Sequence, residues 1–279
     1  AGTLYLPEGV TAPPVVVMGH GLGALKEFRI PAFAERFKAR GLAVFAFDYR
    51  HWGASAGEPR QLLDPQLQLQ DWQAALAHVR GLDSVDGGRL GIWGSSFGGA
   101  HVIHVAAQDA AVRAVVAQVP AADTASSAGS FKLSLTARLV WQGVLDAVGA
   151  VFGAAPRYVP LVGKPGDLAV LTTAECWDGY LGLVPEGSPW ENKLTARSFL
   201  KLPSYRAVKV APRVQAPVLL QAGIHDSLVA VEDVRKLAGL LPRATLEEYD
   251  CNHFEPYHEP LFERFAAAPA SFFAQHLLG

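Results

Sequence analysis

Short apolar runs alternate with longer amphipathic stretches along most of the chain. Val15 to Met18, Leu42 to Phe47, Leu90 to Trp93 and Ala114 to Val119 are nearly unbroken runs of aliphatic and aromatic residues. Such runs mark strands that are covered on both faces, because a strand with one wet face would alternate apolar and polar positions. The helical period predicts helices over Pro31 to Arg40 and from about Gln66 to Arg80, the second stopped by Gly81, and another from near Phe97 to about Ala107. The alternation resumes late in the chain with a strand over Pro217 to Gln221 and a helix near Val229 to Leu241. A strand over Thr245 to Tyr249 and a helix from about Pro260 to Leu278 complete it. Thr3 to Leu6, closed by Pro7-Glu8-Gly9, reads as an antiparallel edge strand. The pattern predicts an α/β fold built on a mostly parallel, doubly wound sheet.

Between Pro120 and about Arg213 the repeat breaks. Phe131 to Phe152 reads as one long apolar helix, and Thr172 to Lys201 as further helical or irregular segments. An insertion at this point overhangs the carboxyl edge of a parallel sheet, where ligands bind. The expected division is therefore a core of residues 1–120 and 214–279 with an inserted helical lid over 121–213; a peripheral decoration without substrate contact is the alternative. A chain of 279 residues is long enough to bury one large core and carry such an insertion.

Composition narrows the function classes. Hydrophobic residues make up 50% and charged residues 18%, as in a well-packed globular protein. A formal net charge of -2 and no basic run leave no electrostatic footprint for nucleic acid or an anionic membrane. No apolar stretch is long enough to span a bilayer. Cys176 and Cys251 are too few for a disulfide framework and have no zinc-ligand spacing, so each reads as a free thiol. The chain begins Ala1-Gly2-Thr3 without methionine or a leader-type stretch, which reads as a processed or trimmed start, and the cytoplasm is the expected location.

The chemistry concentrates at Gly94-Ser95-Ser96-Phe97-Gly98, where an apolar strand runs straight into a helix. The corner residue of such a turn takes a strained conformation, and glycines two before and two after it let the chains pass. Ser96 fits this corner; Ser95 does not, since its flanks would be Trp93 and Phe97. Serine needs a base, and His253, after the last strand, is placed to be one; Asp226, after the strand Pro217 to Gln221, would orient it. Asp226 could alternatively cap the following helix. His225 and His258 are lesser candidates for the base, and His101 and His104 read as packed or surface residues. The backbone N–H of Phe97, at the helix start, is a candidate oxyanion donor.

The order Ser96, Asp226, His253 and the apolar run ending His20-Gly21-Leu22-Gly23 resemble an α/β-hydrolase of the dienelactone-hydrolase and prolyl-peptidase-like group. Asp48-Tyr49-Arg50-His51-Trp52-Gly53-Ala54-Ser55 is also similar to a loop common in that group. The resemblance covers nearly the whole chain outside the middle. It implies Leu22 as the second backbone oxyanion donor and a serine hydrolase that cleaves a carboxylic ester, lactone or thioester through an acyl-enzyme, without cofactor or metal. The partner implied is a small-molecule substrate, not nucleic acid, and the oligomeric state stays open. Tyr49 is expected at the pocket mouth and the insertion residues Trp141 and Phe152 on the acyl pocket; the apolar content of the insertion, which includes Phe131, Leu139 and Trp177, favours an apolar acyl or ring substrate or else serves the insertion's own packing against the core. Acyl transfer and peptide cleavage by the same triad, and a non-catalytic binding module, are the alternatives.

Overall fold

A computed structural model describes residues 1–129 and 133–279. Nine strands and eight α-helices are present among them, together with short 3-10 turns. The first half contains β1 (Gly2–Tyr5), β2 (Pro14–Gly19), α1 (Ile30–Lys38), β3 (Ala43–Phe47), α2 (Pro65–Arg80), β4 (Asp86–Ser95), α3 (Phe97–Ala106) and β5 (Ala114–Gln118). After an intervening segment come β8 (Val218–Gly223), α7 (Val231–Leu240), β9 (Ala244–Tyr249) and α8 (Leu261–Leu277). Seven of these strands form one sheet in the order β1-β3-β2-β4-β5-β8-β9. β1 runs antiparallel to β3 at the edge, and the other neighbours are parallel.

The near-continuous apolar runs explain the layering. Along β2, Val15 and Val17 point into one core with α2 and α3, where they meet Trp72, Leu76 and Ile103. Val16 and Met18 point the other way, to α1 and α8, and meet Phe33, Phe37 and Phe273. Both sets are wholly buried, so no position of the strand is left for a polar side chain. Burying a Val-sized side chain is worth roughly 1.5–3 kcal/mol.

The elements expected from the pattern are present, with shifted ends. β4 starts at Asp86 rather than Leu90, because Asp86 to Arg89 lead into the sheet as a polar extension. α7 starts at Val231, two residues later than expected. The segment between β5 and β8 holds α4 (Thr124–Gly129), α5 (Leu133–Val151), β6 (Tyr158–Val159), α6 (Cys176–Leu181) and β7 (Leu194–Thr195). The expected start of the long helix, Phe131, lies outside the described residues. The pair β6 and β7 forms a small antiparallel ribbon that the period did not show. α5 is anchored by Asp146, a buried carboxylate that accepts from the N–H groups of Arg157 and Arg197 at 2.8 and 3.0 Å. No described helix is long and apolar enough to cross a membrane.

Candidate active site

Ser96 sits between β4 and α3 with φ 56° and ψ −117°, a left-handed conformation that a non-glycine residue keeps only under constraint. The constraint is close packing on both sides. A Cβ on Gly94 would meet the carbonyl oxygen of Gly98 at 2.1 Å, and one on Gly98 would meet the carbonyl oxygens of Gly19 and His20 at 2.6 Å. The Ser96 N–H donates to Gln118 O at 2.9 Å, which ties the corner to β5. Ser95 is buried, and its hydroxyl is bonded to that of Tyr257.

The tertiary fold brings three side chains together over large sequence distances. His253 Nε2 lies 3.0 Å from Ser96 Oγ, and His253 Nδ1 lies 2.6 Å from Asp226 Oδ2. The other Asp226 oxygen accepts from the N–H groups of Leu228 and Val229, both at 2.8 Å. Asp226 therefore caps the turn before α7 and faces His253 at once; the two roles considered for it are compatible because a carboxylate has two oxygens. The side chains of His253 and Asp226 are 4% and 2% exposed. Burial works against the imidazolium of His253, but the charge and hydrogen bond of Asp226, with Glu175 adding to them, hold its pKa above the ordinary histidine value.

Ser96 and His253 open into a cavity of about 140 Å³. Leu22 and Phe97 line it next to Ser96, and the N–H of Phe97 is one of the unpaired donors at the start of α3. The rest of the lining is chiefly apolar, and part of it comes from the segment between β5 and β8, through Leu171, Tyr180, Leu183, Phe199 and Leu202.

Three expected pocket residues lie elsewhere. Trp141 is 60% exposed on the outer face of α5, and Phe152, just past the end of that helix, is 83% exposed. The helix turns its inner face, with Leu139 and Gly143, toward the segment Ala196–Ser204, and that segment, not α5, reaches the cavity. Tyr49 is wholly buried behind the site: its hydroxyl accepts from Trp72 Nε1 at 3.0 Å, and its ring packs edge-on against His20 at 4.6 Å. Apolar character in the sequence could not separate these faces, since the same residue types serve packing, surface and pocket.

His225, His101 and His104 each have other partners. His225 pairs with Asp250 on the surface at 2.8 Å. His101 is buried between Tyr205 and Gln68, and His104 stacks on the Tyr205 ring. Cys176 and Cys251 are both buried free thiols. The sequence reading missed Tyr257 and Glu175, which carry no motif, and among the described residues no cluster of ligands could hold a metal.

A family profile described as serine aminopeptidase, S33 matches residues 11–148, a stretch that includes both the His20 loop and the Ser96 corner. The quorum-quenching protein AidA of Acinetobacter baumannii is 41% identical over 261 residues, spanning 94% of this chain and 86% of that protein. The chain belongs to the α/β-hydrolase family. The structure of DcsB in complex with its substrate analogue superposes on this α/β-hydrolase with a TM-score of 0.87, covering 100% of this chain and 94% of that one at 24% identity, a likeness of fold. The acyltransferase drtE of Aspergillus calidoustus is 27% identical over 233 residues, 80% of this chain and 73% of its own length.

Proposed function

We propose that this α/β-hydrolase cleaves a small carboxylic ester, lactone or thioester through an acyl-enzyme on Ser96. The observation that carries the reading is the unbroken relay from Ser96 through His253 to Asp226 at the edge of an apolar cavity. His253 takes the Ser96 proton as the hydroxyl oxygen attacks the acyl carbon, then returns it to the leaving group. Asp226 keeps the proton of neutral His253 on Nδ1, so that Nε2 is free to accept, and balances the imidazolium. The N–H groups of Leu22 and Phe97 take the oxyanion, each such donor being worth roughly 3 kcal/mol of barrier. Water, activated by His253 in turn, releases the acyl group. Beyond the chain's own side chains and backbone N–H groups, these steps use only the substrate and water.

The segment 121–213 acts in this reading as a lid over the core 1–120 and 214–279. Leu171, Phe199 and Leu202 supply the apolar roof. A cavity near 140 Å³ has about the volume that accommodates one benzene ring, which points to a short acyl chain or a single ring as the bound group. Among the described lining residues no acidic side chain is present to receive a free ammonium group, which favours esters over amino-terminal peptides despite the peptidase description of the family profile. The motifs around His20, Asp48 and Ser96 support a reading within the family as a member of the dienelactone-hydrolase and prolyl-peptidase-like group.

Transfer of the acyl group to an alcohol, amine or carbon nucleophile instead of water is a second reading, favoured by the relative named an acyltransferase. Both readings share one test. Ser96→Ala is expected to abolish turnover of aryl esters, lactones and acyl thioesters while leaving the melting temperature nearly unchanged, a loss of several orders of magnitude in rate. Near-parental turnover in that variant, or inactivity of Ser95→Ala instead, would remove Ser96 from the chemistry. Adding small alcohols and amines to the parent assay separates the readings through the fraction of acyl product that is transferred.

A further inference from the structure

Glu175 immediately precedes α6, far from the core strands in sequence, yet its carboxylate reaches the loops that follow both β8 and β9. Its Oε1 accepts from the N–H of Ser227 at 3.0 Å and bonds the Ser227 hydroxyl, which also lies 2.8 Å from Thr173 Oγ1. Its Oε2 accepts from the N–H of His253 at 3.3 Å. Ser227 follows Asp226, so one side chain ties the loop of the acid to the loop of the base. The same stretch holds the His20-Gly21-Leu22-Gly23 turn as well: the Tyr180 hydroxyl donates to Leu22 O and Trp190 Nε1 to Gly23 O, both at 2.8 Å.

We propose that Glu175 is a positioning residue of the hydrolytic site, locking the Asp226 and His253 loops in register and adding a second negative charge beside the base. The proposal rests on the serine-hydrolase reading above. Backbone bonds from the N–H of Ile224 to Tyr249 O and of His225 to Cys251 O join the two loops up to the residue before Asp226; beyond that point Glu175 bridges them, and an error of about 1 Å in a reacting group can cost on the order of 100-fold in rate. The charge acts in the same direction as that of Asp226, stabilising the imidazolium and so raising the pKa of the base. The other groups around His253 are few. Asp226 and the Ser96 hydroxyl contact its ring, Glu255 on its own loop binds the N–H of Asn252 at 2.7 Å, Cys251 is a buried thiol, and Asp250 is turned outward to His225.

The test compares Glu175→Gln and Glu175→Asp with the parent by ester kinetics across pH and by inactivation of Ser96 with a fluorophosphonate across the same range. Glu175→Gln keeps the size and removes the charge. Its kcat is expected to fall roughly tenfold with KM within about twofold, and the acidic midpoint to move to lower pH in both measurements, because the imidazolium has lost one anion. Glu175→Asp restores the charge without the reach. Its midpoint is expected back near the parental value while kcat stays reduced, and parental kcat in this variant would overturn the proposal even if the glutamine variant did not fold. Parental kcat and midpoint in Glu175→Gln, with Ser96→Ala inactive, would overturn it and leave the hydrolase reading standing. Turnover that survives Ser96→Ala would overturn both.

Discussion

At the residue scale, the site is a matter of which groups are allowed to be charged. His253 is nearly buried, a situation that ordinarily keeps an imidazole neutral, yet Asp226 at 2.6 Å reverses the balance and raises its pKa. His101 and His104 lack such a partner: burial lowers His101 well below the usual value and lowers His104 to about 4. Of these three, His253 is the one held ready to take a proton near neutrality. The base acts when neutral, so kcat/KM is expected to fall as pH drops through a single ionisation above the ordinary histidine value of ~6.5. The sign for stability is opposite. A histidine whose folded pKa is raised contributes stability that is fully present below ~6.5 and is lost as pH rises through the folded value, so on the acid side the rate falls while this residue's contribution to stability is kept. A pH–rate profile beside melting curves over the same range checks both; a flat profile down to mildly acidic pH would exclude His253 as the base.

At the element scale, the corner between β4 and α3 shows how a motif becomes geometry. Gly98 packs against the carbonyl oxygens of Gly19 and His20, so the first turn of α3 and the His20 loop touch through backbone alone. Gly98→Ala is expected to cost about 1–3 kcal/mol, since those backbone atoms have to move. The same displacement shifts Leu22 relative to Ser96, so kcat should fall further than stability alone explains. Gly239, on α7, is the matched control: a Cβ there meets nothing within 4 Å, and Gly239→Ala should be neutral or stabilise by up to ~1 kcal/mol. Equal melting temperatures and equal activity for both variants would contradict the packing account. This corner was legible in the sequence because sterics at Gly94 and Gly98 admit little besides glycine. The helix boundaries were not: Asp226 draws the N–H groups of Leu228 and Val229 into a turn of the site, and α7 begins only at Val231.

At the scale of the whole molecule, the segment between β5 and β8 lines part of the cavity. Its roof residues are not the ones that composition singled out. Leu202→Ser is expected to raise KM for a ring-sized or short-chain acyl ester several-fold, because a lost apolar contact with substrate is worth about 1–3 kcal/mol. Trp141→Ser should leave KM and kcat unchanged, since that side chain is 60% exposed outside the cavity. Steady-state kinetics of the two variants on one ester series decide between them, and a larger effect at Trp141 would place substrate on the outer face of α5 after all.

The sequence by itself determined the mostly parallel sheet, the corner at Ser96 and the strand ends that carry Ser96, Asp226 and His253. Each of these follows from local physics: a strand buried on both faces has no place for polar residues, a left-handed corner needs glycine neighbours, and reactive loops sit at strand ends. What the tertiary structure decided is everything that depends on direction between distant segments. Trp141 and Leu202 are both apolar residues of one insertion, yet one faces outward and the other the cavity, because the packing of α5 on Ala196–Ser204 fixes which face is free. Glu175 carries no motif, and only the fold brings it between Ser227 and His253. Periodicity reports whether a face is covered; it holds no information about which neighbour covers it, since that is settled by long-range contacts between segments far apart in the chain.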